Sequence, residues 1–230
     1  MQQGPDMPTI LWILLVRGVP DALQITFFGL AMGFGIGLIL ALMRVYGTEE
    51  MGWVAEAYEK VLRGIPVLVL IYIFTFGASS IFWFVDPIQR PIVGAYVALG
   101  IRSGAYQSQI FRGAILSVSE GQVIAARALG MTGFQTQIYI VLPQAFRIAL
   151  PGWSNEYAVV IKDSSFASDV GVFEILKVVQ NVTANHPELW LPSMGIVTLI
   201  YFVFTYPVTR YFGKKQKGAV GEFGREVIWA

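Results

Sequence analysis

From Leu23 to Met43 the chain runs through a near-unbroken series of apolar side chains. At about 20 residues, that is the length an α-helix needs to cross the hydrocarbon core of a bilayer. Composition agrees with a membrane setting. The 230 residues are 55% hydrophobic and 13% charged, with a mean hydropathy of +0.61, whereas a soluble domain carries about 25% charge. Within the run, Gly29, Gly33 and Gly37 recur every four residues. This small-xxx-small spacing lets helices approach closely, and it is read as helix packing rather than as a pore lining.

Four further segments read as spans: Val67–Val85, Ile92–Leu116, a polar-interrupted stretch around 148–163, and Trp190–Tyr211 with aromatics at both ends. Thr9–Arg17 is too short to cross and suits an interfacial helix anchored by Trp12, with Gly18-Val19-Pro20-Asp21 as punctuation. Residues 49–63 read as an amphipathic connector and Ser164–Lys177 as a re-entrant or interfacial helix capped by Ser168 or Asp169. Asn181–Glu188 reads as a polar loop and Lys214–Ala230 as a frayed basic tail. The expected organisation is an interfacial segment (1–19), an all-α transmembrane domain of five helices (20–212) and a cytoplasmic tail (213–230).

Lys and Arg placement orients the spans. Arg44, Lys60, Arg63, Arg112, Arg127, Arg147, Arg210, Lys214, Lys215, Lys217 and Arg225 fall on one side, against Arg17, Arg90 and Lys177 on the other. The N-terminus is therefore expected outside, and the C-terminus and the 119–143 loop in the cytoplasm. Met1–Pro8 lacks the basic start of a secretory signal, so the spans themselves must direct insertion.

Several chemistries lack their residues. There is no cysteine, and the one histidine, His186, builds no metal centre alone. No Ser/His/Asp set accompanies Ser164 and Ser165, and no Gly-x-x-x-x-Gly-Lys-Ser/Thr loop is present to cradle ATP. A net charge of +1 gives no electrostatic footprint for nucleic acid.

The 119–143 loop is unusually structured for a connector. Ser119 with Gln122, and Thr132 with Gln135, have capping-box spacing, and Gly130 stands where a helix end takes a left-handed residue. The reading is a short Ala-rich helix over about 120–129, a glycine break, and a second helix running toward Pro143. Ala125, Ala126 and Ala128 give the first helix a low-relief face that another protein can approach.

This loop resembles the one that defines the membrane subunits of ATP-binding-cassette importers: Glu-Ala-Ala, three residues, Gly, nine residues, Ile-x-Leu-Pro. Ala125-Ala126, Gly130 and Ile140-x-Leu142-Pro143 fall at those spacings, with Ile124 at the Glu position. Three other places are similar to the polar amino-acid branch of that family. They are Arg63-Gly64-Ile65-Pro66; Gly104-Ala105-Tyr106-x-x-Gln109-Ile110-Phe111-Arg112-Gly113, with Gln109 for Glu; and Asn155-Glu156 with Lys162-Asp163-Ser164-Ser165-Phe166.

The resemblance covers about residues 20–210 and implies the type I importer permease fold. It also implies a cytoplasmic coupling helix in which Gly121, Gln122, Ala125, Ala126, Arg127 and Gly130 dock on an ATPase subunit. By the same resemblance the partners are two ATPase subunits that bind ATP and magnesium, a second permease chain (identical or related), and an external amino-acid-binding protein. An ATP-independent carrier would explain the charges at depth but not the capped, glycine-broken loop. An intramembrane enzyme lacks its reactive groups.

Charges at membrane depth are costly and point to function. Arg102 lies about 15 Å into the third span at 1.5 Å per residue, with Tyr106 and Gln109 on the same helix face. Asn155 and Glu156 follow the Pro151-Gly152 break, where irregular backbone is expected to line a cavity. An amino acid carries a carboxylate and an ammonium, for which Arg102 and Glu156 are the candidate donor and acceptor. Lys162, Asp163 and Ser164 complete the expected pathway, the first two as an ion pair or a gate element.

Overall fold

The computed structural model describes residues 6–77 and 81–226, with side chains up to Gly213, and every regular element among them is helical. Helix α1 (Met7–Ile13), a π-helical turn (Leu14–Gly18) and α2 (Val19–Tyr46) follow without a break, making one 40-residue helix. Gly18-Val19-Pro20 was expected to punctuate here. Instead the Val19 N–H reaches back to Leu14 O in the π-turn, and Pro20, having no N–H to offer, sits in the first turn beyond it, where none is needed. Asp6 caps the start through Thr9 N at 3.1 Å. Ile10 and Leu14 are fully buried against Ile175, Val178, Val179, Val197 and Ile200, so this segment is packed onto the C-terminal helices.

The second crossing differs from the expected Val67–Val85. Helix α3 (Glu49–Gly64) and α4 (Val67–Tyr72, extended by a π-turn to Gly77) are bent by 100° at Gly64-Ile65-Pro66. Pro66 withdraws a backbone donor and restricts Ile65 to extended conformations, which ends α3 there. Residues 78–80 of the expected span lie outside the described residues. The connector and the apolar run are long and apolar enough for one span only when taken together across this bend.

Helix α5 (Arg90–Leu116) matches its expectation. It packs along α2 in parallel, since Gly29 meets Leu99, Gly33 meets Ser103, and Gly37 meets Gln107 and Ser108. Two parallel crossings require a return between them, which α3 with α4 supplies. The outer core gathers Ile25, Leu30, Leu70, Ile71, Leu99 and Val160, and the inner core Ala41, Phe111, Ala114, Val141 and Ala145.

After α6 (Glu120–Ala128) and α7 (Gly133–Thr136), a π-turn (Gln137–Val141) leads directly into α8 (Leu142–Asp163). Pro143 was read as an end. It lies instead in the first turn of α8, and the helix also runs on through Pro151. A 3-10 segment (Ser164–Val170) and left-handed Gly171 precede α9 (Ile175–Asn185). Its cap is Glu174, which accepts from Lys177 N at 2.9 Å, rather than Ser168 or Asp169. Helix α9 takes up most of the expected 181–188 loop. Helix α10 (Trp190–Glu226) continues through the first part of the tail expected to fray.

Among the described residues two helical stretches, Met7–Tyr46 and Pro187–Gly213, are apolar and long enough to cross on composition alone, and the bent pair passes the same test when its two helices are taken together. The remaining two of the five expected, α5 and α8, carry the polar residues at depth.

Candidate functional site

The polar side chains of α3, α5 and α8 form a seam on the packed helices. Arg102 Nη1 lies 2.9 Å from Asp163 Oδ2, with side-chain exposures of 15% and 17%, so a largely buried ion pair ties the middle of α5 to the end of α8. One turn along α5, the Tyr106 ring lies under two guanidinium groups, Arg102 at 4.8 Å and Arg63 at 5.1 Å from its centroid. Such contacts stabilise by about 0.5–2 kcal/mol, depending on desolvation. Glu156 is buried and accepts from Ser103 Oγ at 2.8 Å, near enough for the Arg102 and Asp163 charges to act on it.

The expected pathway residues therefore divide. Arg102, Tyr106, Asp163 and Glu156 come together. Asn155 and Lys162 are exposed, lining a groove of about 430 Å³ with Phe202, Thr205, Tyr206 and Thr209 of α10. Ser164 is buried and donates to Ile161 O at 2.8 Å, back onto the last turn of α8. Pro151-Gly152 opens no break, which lies instead at Gly64–Pro66.

Gln109 leaves the seam. Its amide donates to Glu59 of α3, which also accepts from Ser108 Oγ at 2.5 Å and from Arg44 at 2.7 Å. Arg44 reaches Glu56 at 3.1 Å as well, and Lys60 meets Glu56 at 2.6 Å. Arg44 and Lys60 pair with the two carboxylates, Arg112 lies near enough to act on Glu56, and Gln109 sets a neutral donor directly on the buried Glu59. Gln109→Glu is accordingly expected to lower stability by about 1–3 kcal/mol, because it replaces that donor with a second carboxylate directly against the buried Glu59. The drop is to be read from the thermal midpoint of the purified protein, and an unchanged midpoint would contradict the cluster.

Sequence reasoning missed Gln107, the hub of the seam. Fully buried, it donates to Leu30 O at 3.1 Å and Ser103 Oγ at 3.0 Å, and accepts from Trp153 Nε1 at 3.0 Å, joining α2, α5 and α8. Its available signal was an amide on the face that meets the glycine stripe of α2. Glu59 was equally hidden inside the polar connector.

The 119–143 region forms the second candidate surface. Helix α6 ends in a Schellman motif: Met131 N bonds Ala126 O at 3.2 Å and Gly130 N bonds Arg127 O at 3.0 Å, with Gly130 at φ 83°. Thr132 and Gln135 make both bonds of the expected capping box. Ser119 makes no side-chain cap bond; its carbonyl instead accepts from Gln122 N at 3.0 Å. Ala126 is buried and Val123 leans on the inner core, which fixes the helix to the body. Gly121, Gln122, Ile124, Ala125, Arg127 and Leu129 remain exposed, with Leu129 at 85% and Phe134 beside it at 77%.

Residues 33–213 match the family model described as binding-protein-dependent transport system inner membrane component. The octopine transport system permease protein OccM of Rhizobium radiobacter is 35% identical over 216 residues, covering 90% of this chain and 88% of that protein. The glutamine transport system permease protein GlnP of Escherichia coli K12 is 34% identical, covering 84% and 86%. A solved amino acid ABC transporter crystallised with histidines superposes with a TM-score of 0.76 at 26% identity, over 94% of this chain and 99% of that one.

Proposed function

Since the chain belongs to the binding-protein-dependent transport system inner membrane component family, we propose that it forms half of the passage for a polar amino acid. In this reading it works in the cytoplasmic membrane as a pair with a second copy or a related chain. Two ATPase subunits holding ATP and magnesium dock on the α6 surfaces, and an external binding protein delivers the substrate. The N-terminus faces outside and the C-terminus the cytoplasm. ATP binding draws the two α6 helices together and opens the passage outward, and Arg102, Tyr106, Glu156 and Asp163 line it.

One observation carries the reading. Helix α6 is held rigidly at its base by Ala126 and the Gly130 turn, yet presents an exposed apolar edge of Ile124 and Leu129. In a chain rich in lipid-facing residues, a capped polar–apolar helix between two spans fits a protein groove. Ile124 at the family's Glu position makes this contact more apolar than the motif.

The absence of native cysteine makes the test direct. Arg127→Cys, co-expressed with its ATPase, is expected to crosslink to that subunit with a yield that changes when ATP is added. Adding Gly130→Val should remove the crosslink, because a β-branched residue at that φ costs about 1–2 kcal/mol and dissolves the turn. A crosslink absent for every ATPase candidate, or indifferent to Gly130→Val, would overturn the docking role of α6.

A further inference from the structure

Arg63 stands at the break between α3 and α4, a cation beside the seam with no anionic partner among the described residues. Arg102 is held by Asp163, and Arg44 by Glu56 and Glu59. Arg63 is exposed, touches the face of the Tyr106 ring, and meets no carboxylate among the described residues. Tyr106 lies about 24 Å along α5 from Arg90 and about 15 Å from Leu116 at 1.5 Å per residue, so Arg63, counted from the sequence on the cytoplasmic side, reaches a ring set in from both ends of that helix. A guanidinium cannot discard its proton and carries five donors in a planar fork. At such depth an unpaired one faces water or a ligand.

The surroundings leave room for a ligand. A Cβ built on Gly64 would meet nothing within 4 Å, and Gly64 and Pro66 are exposed beside it. The Arg63 guanidinium carbon sits 5.1 Å from the Tyr106 ring centroid, and among the described residues its N–H groups meet no carboxylate. A carboxylate matches such groups with two parallel hydrogen bonds.

We infer that Arg63 is the residue of the passage that takes the carboxylate of the carried molecule, with Tyr106 as the positioning residue that holds the guanidinium. The ligand class is a small molecule with a free carboxylate. This rests on the reading of the chain as an amino-acid passage, and it shifts the carboxylate-binding role from Arg102, whose charge is spent on Asp163, to Arg63.

The test uses the complex with its ATPase in lipid nanodiscs, without the binding protein. The twenty common L-amino acids are titrated calorimetrically, and the best ligand is then compared with its α-carboxamide. The native complex is expected to prefer the acid. Arg63→Gln should weaken the acid about ten- to a hundredfold and the amide little, so that the two become alike. Arg63→Lys, which keeps the charge and loses the fork, should fall between.

Full discrimination retained in Arg63→Gln, or an equal loss for acid and amide in both variants, overturns the assignment. If the native complex binds no amino acid at all, the passage reading fails and this assignment with it. That result is distinguishable because it appears before any substitution.

Discussion

Gly37→Val is expected to leave almost no folded protein, while Gly35→Val on the same helix is expected to be silent. A Cβ at position 37 would lie 2.8 Å from Gln107 Cβ, 2.9 Å from Ser108 N and 3.0 Å from Gly104 O. Two of those atoms are backbone of α5 and cannot turn aside, so α2 and α5 must separate. Overpacking costs about 1–3 kcal/mol. Separation also pulls Gln107 from Leu30 O, leaving a buried amide short of a partner for about another 1–3 kcal/mol. Together these come to about 2–6 kcal/mol, enough to exhaust a fold at the low end of the usual range of about 5–15 kcal/mol. A Cβ at position 35 meets nothing within 4 Å. Yield and thermal midpoint in mild detergent check the contrast, and equal behaviour of the two variants would mean that the parallel α2–α5 contact is wrong.

That contact was legible in the sequence because a four-residue repeat of glycine has one physical use inside an apolar helix. The α6 turn was legible for a similar reason: left-handed backbone favours glycine, and Thr-x-x-Gln can close its two bonds locally. Prolines misled where π-turns intervened. Pro20 and Pro143 look like breaks to any local rule, yet each falls in the first turn of a helix that a π-turn has already reset. The second span was misplaced because hydropathy follows the apolar run and ignores the amphipathic α3, which leads into it through the 100° bend. Periodicity reports which face of a helix is polar, not which helix it meets. It therefore put Gln109 with Arg102 and passed over Gln107, and it could not pair Arg102 with a carboxylate 61 positions away.

The Arg102–Asp163 pair gives the sharpest test of what that polar face does. Arg102→Gln and Asp163→Asn, made singly, are each expected to lower stability by about 3–5 kcal/mol, because each strands a charge that is more than four-fifths buried. Made together, they leave two neutral amide groups and no stranded charge, and stability should recover most of what either single variant loses. A double variant as unstable as the singles would show that the two side chains are not each other's partners. Uptake in reconstituted vesicles separates the remaining roles. If Arg63 is the carboxylate site, the stable double variant transports, because no charge is stranded between α5 and α8 and Tyr106 still stands beside Arg63. If the double variant is stable but silent, the charges themselves act on the passing substrate, and Arg102 regains the role that its depth in the sequence first suggested.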